Sequence, residues 1–269
     1  MAANPYVPAG FDPKAPEWAV DPAKFPADKE EKWGYPPEKD GWILSHNSLR
    51  GELDDFQAAL SATLARLNGT APSEWEVAAI KKWYKAHADH MHSHHENEDA
   101  LMVPYLRERV KIPQKVEKDH ELLIAHMAKI EKIIAGLSTE DKSGVPALAQ
   151  AWEAYTKDVK PHLLEEEGTS VPLMRAFFEQ AEIGKKVGEI LGNEKAPKEE
   201  LGSFIYYTGE DTFRNEFMVQ EGIPFFVWWV GGFESKFKYY RDFVAVLITA
   251  LKEGKEQAPK EWYEGCTIL

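Results

Sequence analysis

His87-Ala-Asp-His90-Met-His92-Ser-His94-His95-Glu96-Asn-Glu98-Asp-Ala-Leu-Met-Val-Pro104 gathers five of the chain's nine histidines into nine residues and follows them at once with acids. Residues four apart on a helix project from nearly the same face, one turn along the axis. His94 and Glu98 therefore form one pair of donors. Pro161-His162-Leu-Leu-Glu165-Glu166-Glu167 repeats the arrangement with His162 and Glu166, and in both segments a proline, Pro104 or Pro172, stands six residues beyond the glutamate. Two helices carrying the same His-x-x-x-Glu pair can face each other in a bundle and hold two metal ions, with a bridging carboxylate from each side and imidazoles at the outer ends. His46 and His120 would join them from two further segments.

Outward from this stretch the pattern is helical. Leu49, Leu53, Phe56, Leu60, Leu64 and Leu67 recur every three or four residues up to the helix stop Asn68-Gly69. Ser73-Glu-Trp-Glu76 has capping-box form and opens a helix predicted to run to about Arg109, with Pro104 bending its last turns. A third helix is expected over about 114 to 137 and a fourth over about 145 to 174. Four long helices with short connections predict an all-α fold, an up-down four-helix bundle over residues 42 to 190.

Residues 1 to 41 hold eight of the 17 prolines together with Trp18, Trp33 and Tyr35, and read as an extended arm whose rings pack onto the bundle. Residues 191 to 269 are predicted to form extra helices. Their many aromatics, Trp228 and Trp229 among them, are either a packing face or an apolar lid over an opening in the bundle.

The net charge of -13 argues against nucleic acid and anionic membrane surfaces as partners. The longest apolar run, 223 to 233, is broken by Pro224, Gly231 and Gly232 and is about half the ~20 residues of a spanning helix. A single cysteine, Cys266, rules out an internal disulfide, and the start of the chain has no targeting pattern, so a reducing, cytoplasmic compartment fits. Cys266-Thr-Ile-Leu269 has the C-a-a-X form, which makes Cys266 a candidate prenylation site and a route to weak peripheral membrane association.

The segments 44 to 53, 94 to 104, 118 to 123 and 161 to 172, in that order, resemble the hemerythrin-like (HHE) domains over about residues 42 to 185. That resemblance implies a non-haem di-iron site with a solvent-derived oxo or hydroxo bridge. His46, His94, Glu98, His120, His162 and Glu166 would be its protein ligands; zinc or manganese ranks behind iron. One position departs from the oxygen carriers of marine worms, which have a second histidine where this chain has Ile124, so one iron is expected to lack an imidazole. The pattern is more similar to the hemerythrin-like domain of the eukaryotic iron-sensing ubiquitin-ligase subunit. Further candidates, as ligands or as partners to ligands, are His90, one turn before His94, and His95, beside it. Glu167 would replace Glu166 if the register slips by one. His92 should point elsewhere, and His126, offset by six residues from His120, is read as peripheral.

Neutral imidazoles with two carboxylates leave a ferrous pair with excess positive charge, which disfavours the highest oxidation states. The pattern leans toward binding O2 or another small diatomic such as NO, or iron itself, in sensing, storage or detoxification. Alternatively the site belongs to a di-iron oxidase or oxygenase acting on a small organic substrate held under the C-terminal aromatic segment. A third class is a module in which metal merely fixes the fold.

Overall fold

The computed structural model describes residues 6–28, 33–192 and 196–257. Among the described residues every regular element is helical, and one isolated antiparallel bridge joins Ala19 to Val110. Helix α1 spans Gly41–Leu67; the Asp40 carboxylate caps it by accepting from the Trp42 N–H at 3.1 Å, and Asn68 ends it in the left-handed region at φ 46°. Helix α2 spans Glu74–Asn97, where the Glu76 carboxylate accepts from both the Ser73 N–H and its hydroxyl, at 2.9 and 2.8 Å.

A π-helical turn, Glu98–Met102, leads from α2 into the short α3, Val103–Arg107. Its closing bond runs from the Val103 N–H to the Glu98 carbonyl, five residues back. Pro104 supplies the reason: in a regular helix its ring would strike the carbonyl four residues behind it, and a widened turn relieves that clash. The bend anticipated at Pro104 is thus a π turn that begins on the donor Glu98.

Helix α4 spans Gln114–Gly136 and α5 Gly144–Phe177, the latter continuing through Pro161 and Pro172. Helix α5 packs along α1 and α4, and α2 also meets α4. Their shared core is centred on Phe56, stacked on Trp83 at 4.2 Å and meeting Trp152 edge-on at 4.7 Å, while the Trp152 indole N–H donates to the Leu53 carbonyl at 3.2 Å. The N-terminal arm lies against the α3–α5 end. Trp33 donates its ring N–H to the Phe178 carbonyl at 3.2 Å, and the Arg175 guanidinium lies 4.6 Å over the Trp33 ring.

Among the described residues seven further α-helices follow: α6 Gln180–Leu191, α7 Lys198–Thr208, α8 Glu210–Thr212, α9 Met218–Gln220, α10 Val227–Val230, α11 Phe233–Tyr239 and α12 Ala245–Glu253. They are not a separate layer. Helix α12 inserts Leu247, Ile248 and Leu251 into the core of α1 and α2, and α7 packs across the same two helices. A second cluster joins Trp228 to Phe204, Phe213, Phe217, Phe233 and Phe237, so most of the aromatic tail is packing face. Phe225, Phe226 and Trp229 remain exposed. No helix among the described residues is long and apolar enough to cross a membrane.

Gly202 on α7 marks the closest approach of this C-terminal layer to itself. A Cβ there would stand 2.6 Å from the Lys236 carbonyl oxygen and 2.9 Å from the Tyr240 Cβ, inside van der Waals contact with backbone that cannot rotate away. Gly202→Ala is expected to destabilise the fold by about 1–3 kcal/mol in urea unfolding. An unchanged midpoint would mean that α7 and α11 are not held this close.

Candidate metal centre

Histidine and glutamate side chains from α1, α2 with its π turn, α4 and α5 meet in the interior. His46, His94, His95, Glu98, His120, His162 and Glu166 are all buried. They fall into two groups whose donor atoms lie within 4.8 Å of one another: His46, His94, Glu98 and Glu166 in one, His95, His120 and His162 in the other. The two glutamates face both. Glu98 turns Oε1 to His46 Nε2 and His94 Nε2, at 3.6 and 3.3 Å, and Oε2 to His120 Nε2 at 3.5 Å. Glu166 turns Oε2 to His46 Nε2 at 3.4 Å, and Oε1 to His162 Nε2 and His120 Nε2 at 3.5 and 3.7 Å.

These separations are too long for good hydrogen bonds, and the atoms concerned have none. The inward nitrogens of His46, His94, His120 and His162, both nitrogens of His95 and all four carboxylate oxygens of Glu98 and Glu166 are buried without a hydrogen-bond partner among the described residues. Orphaned polar atoms in such number are rare in a folded protein. Donors bound at ~2.1 Å to one shared cation stand roughly 3.0–3.5 Å apart, so a cation held in each half would satisfy them together. The donor set, imidazole with carboxylate and no thiolate, suits iron, zinc or manganese.

The outward ring nitrogens of His46 and His120 are held by acids. Glu167 Oε1 lies 3.0 Å from His46 Nδ1 and also accepts from Arg50 at 2.6 Å. Asp99 Oδ1 lies 3.0 Å from His120 Nδ1, whereas Asp119 Oδ2, 3.7 Å from His162 Nδ1, is beyond hydrogen-bond reach. Such partners fix which nitrogen faces inward and raise its basicity. Glu167→Gln should therefore weaken ferrous binding roughly 10–100-fold while leaving helix content intact; unchanged affinity in a metal-competition assay would remove this role.

Burial and charge divide the histidines. Burial alone would lower the His46 pKa, but the carboxylates of Glu167, Glu98 and Glu166 carry it up to about 9. His120 likewise rises against burial, to about 11, on Glu166 and Glu98. Burial pushes His94 down to about 3 and His95 well below its ordinary value, helped by the neighbouring imidazolium charges. Glu98, which burial would raise, is held well below the usual carboxylate range by His94, His120 and His46. Hence the metal-free chain keeps protons on His46 and His120 that a metal must displace, and apparent affinity climbs with pH. Heteronuclear NMR of metal-free protein at pH 8 should find these two rings as imidazolium and His94 and His95 neutral. Ordinary imidazoles, of pKa about 6.5, would all be neutral there.

The other candidates sit elsewhere. His90 points away from the cluster into a second buried network, where its Nδ1 lies 3.0 Å from Glu52 Oε1. His87 Nδ1 is 2.6 Å from Glu52 Oε2, and the Tyr240 hydroxyl donates to Oε1 at 3.0 Å. Glu52 is held well below the carboxylate range: burial acts to raise it, but His90 and His87 outweigh that. His92 is half exposed near Glu131, His126 pairs with Asp158 at 2.8 Å, and Glu165 pairs with Lys115. Ile124 is 47% exposed and faces solvent rather than the cluster. The imidazole that the Ile124 position leaves missing is matched by His95, which stacks on His120 at 4.3 Å. Consequently neither half has fewer than two imidazoles, and the half expected to be short has three. Cys266 lies outside the described residues.

Sequence reasoning passed over Glu52, Asp99, Asp119 and Arg50. Asp99 and Asp119 each adjoin a donor in the chain, and Arg50 follows His46 by one turn, which is the available signal. Glu52 had none, because its partners come from two other segments, α2 and the stretch that holds Tyr240. A family model described as "Hemerythrin HHE cation binding domain" matches residues 40–187. Comparison with curated proteins and with solved structures finds no match.

Proposed function

The chain belongs to the hemerythrin HHE cation-binding family, whose model spans more than half of it, and from that premise we propose that it is a non-haem di-iron protein that binds O2 or another small diatomic ligand. His46, His94, Glu98 and Glu166 hold one ion; His95, His120 and His162 hold the other, with Glu98 and Glu166 shared between the two. One observation carries the reading. Both buried glutamates offer one oxygen to each group of imidazoles, and none of the four oxygens has another partner. When bound, a ferrous pair supplies the electrons with which a diatomic ligand is held.

The chain's own residues set the conditions. Five neutral imidazoles against two carboxylates leave a loaded site with net positive charge, which favours holding a small ligand over reaching the highest oxidation states. Glu167 and Asp99 keep the His46 and His120 rings oriented, and burial in the bundle keeps bulk water away. Oxygen or iron sensing, storage and detoxification are all consistent with such a centre.

Anaerobically loaded protein should bind two irons per chain and develop a visible band on admission of O2. Glu166→Ala should lower the stoichiometry to one or none and abolish the band, with helical circular dichroism retained. Two irons retained in that variant would overturn the shared-carboxylate arrangement. A band that never appears, joined to loss of helix on chelation, would instead favour a purely structural metal.

A further inference from the structure

Directly beside the His94 and Glu98 donors lies a cavity of about 110 Å³. Its walls come from two sources. Trp42, Met102 and Met174 belong to the family-matched helices, whereas Ile190, Leu201 and Phe204 come from α6 and α7 beyond residue 187. The C-terminal layer thus closes an apolar space over the centre, although Trp228 and Trp229, the rings first suspected as a lid, take no part in it. Apolar cavities near ~150 Å³ remain dry and accept a molecule the size of benzene.

Of the charged groups in the wall, Glu98 is given over to the imidazoles of His46, His94 and His120 at 3.3–3.6 Å, and the other three are engaged with the protein. Asp40 accepts from the Trp42 backbone and faces Arg175 at 3.5 Å. Glu200 accepts from Ser93 at 2.6 Å and from Asn97 at 2.7 Å. Lys236 faces Glu200 and is held below its ordinary pKa by burial. A charged ligand would have to shed its water here without finding a free counter-ion. By contrast the indole N–H of Trp42, a wall residue, is buried with no hydrogen-bond partner among the described residues.

We propose that this cavity binds a small uncharged organic molecule, an aromatic ring or short aliphatic chain with one hydrogen-bond acceptor, and seats it beside the metal centre. The apolar walls supply the affinity and the Trp42 N–H supplies a hydrogen-bond donor. Its position next to the ions rests on the di-iron reading, whereas the cavity itself is a property of the protein alone.

Calorimetry on the metal-free full chain tests this with three probes of one shape: benzyl alcohol, benzoate and benzylamine. Benzyl alcohol should bind one per chain, at least about tenfold tighter than either charged analogue. Val187→Trp and Ile190→Phe, which fill the cavity from α6, should each weaken it about tenfold or more while helical circular dichroism stays native. Trp42→Phe should weaken benzyl alcohol but not toluene. No binding of benzyl alcohol at millimolar concentration, preference for a charged analogue, or undiminished binding in a folded cavity-filling variant would overturn the proposal. Iron content and the O2-dependent band are read separately. Binding without iron leaves the cavity standing and removes the di-iron reading; iron and the band without binding do the reverse.

Discussion

Two carboxylates buried among five imidazoles are the constraint around which this bundle is arranged. Glu98 and Glu166 are almost wholly removed from water, and their oxygens have no hydrogen bond. A bare carboxylate in a protein interior is far too unfavourable to persist, so positive charge must sit beside it, as imidazolium or as a metal ion. The raised His46 and His120 meet that need in the metal-free chain.

Backbone geometry answers to it as well. The π turn that starts at Glu98 lets α2 deliver three donors, His94, His95 and Glu98, and still pass Pro104. Helix α5 carries Pro161 just before His162 and Pro172 one and a half turns past Glu166, yet continues to Phe177. The arm and α6 close the end of the bundle on which Pro104 and Pro172 lie, through Trp33, Arg175 and the Arg109–Glu182 ion pair at 2.6 Å.

The second buried network explains why the C-terminal helices are integral. Glu52 on α1 gathers His87 and His90 from α2 and the Tyr240 hydroxyl from the segment joining α11 to α12. Tyr240 adds a third partner to a carboxylate whose two oxygens already face His90 and His87, so the helices beyond the family-matched segment contribute to a polar core shared with α1 and α2. The same helices wall the cavity beside His94. One layer therefore serves two parts of the interior, which is why its aromatics are mostly buried.

The leucine and phenylalanine period by itself determined where the long helices run, and the repeated His-x-x-x-Glu spacing determined which side chains share a face. Stop signals such as Asn68 and the Ser73–Glu76 box were equally local, since each acts within one turn. Tertiary structure alone decided that His95 joins His120 and His162 while His90 turns to Glu52, and that Glu167 orients His46 instead of standing with the donors. The reason is geometric. A sequence specifies the angle of each side chain about its own helix axis, about 100° per residue, but not how far each helix is rotated against its neighbours. Only packing sets that rotation, and with it which of two adjacent histidines faces the centre.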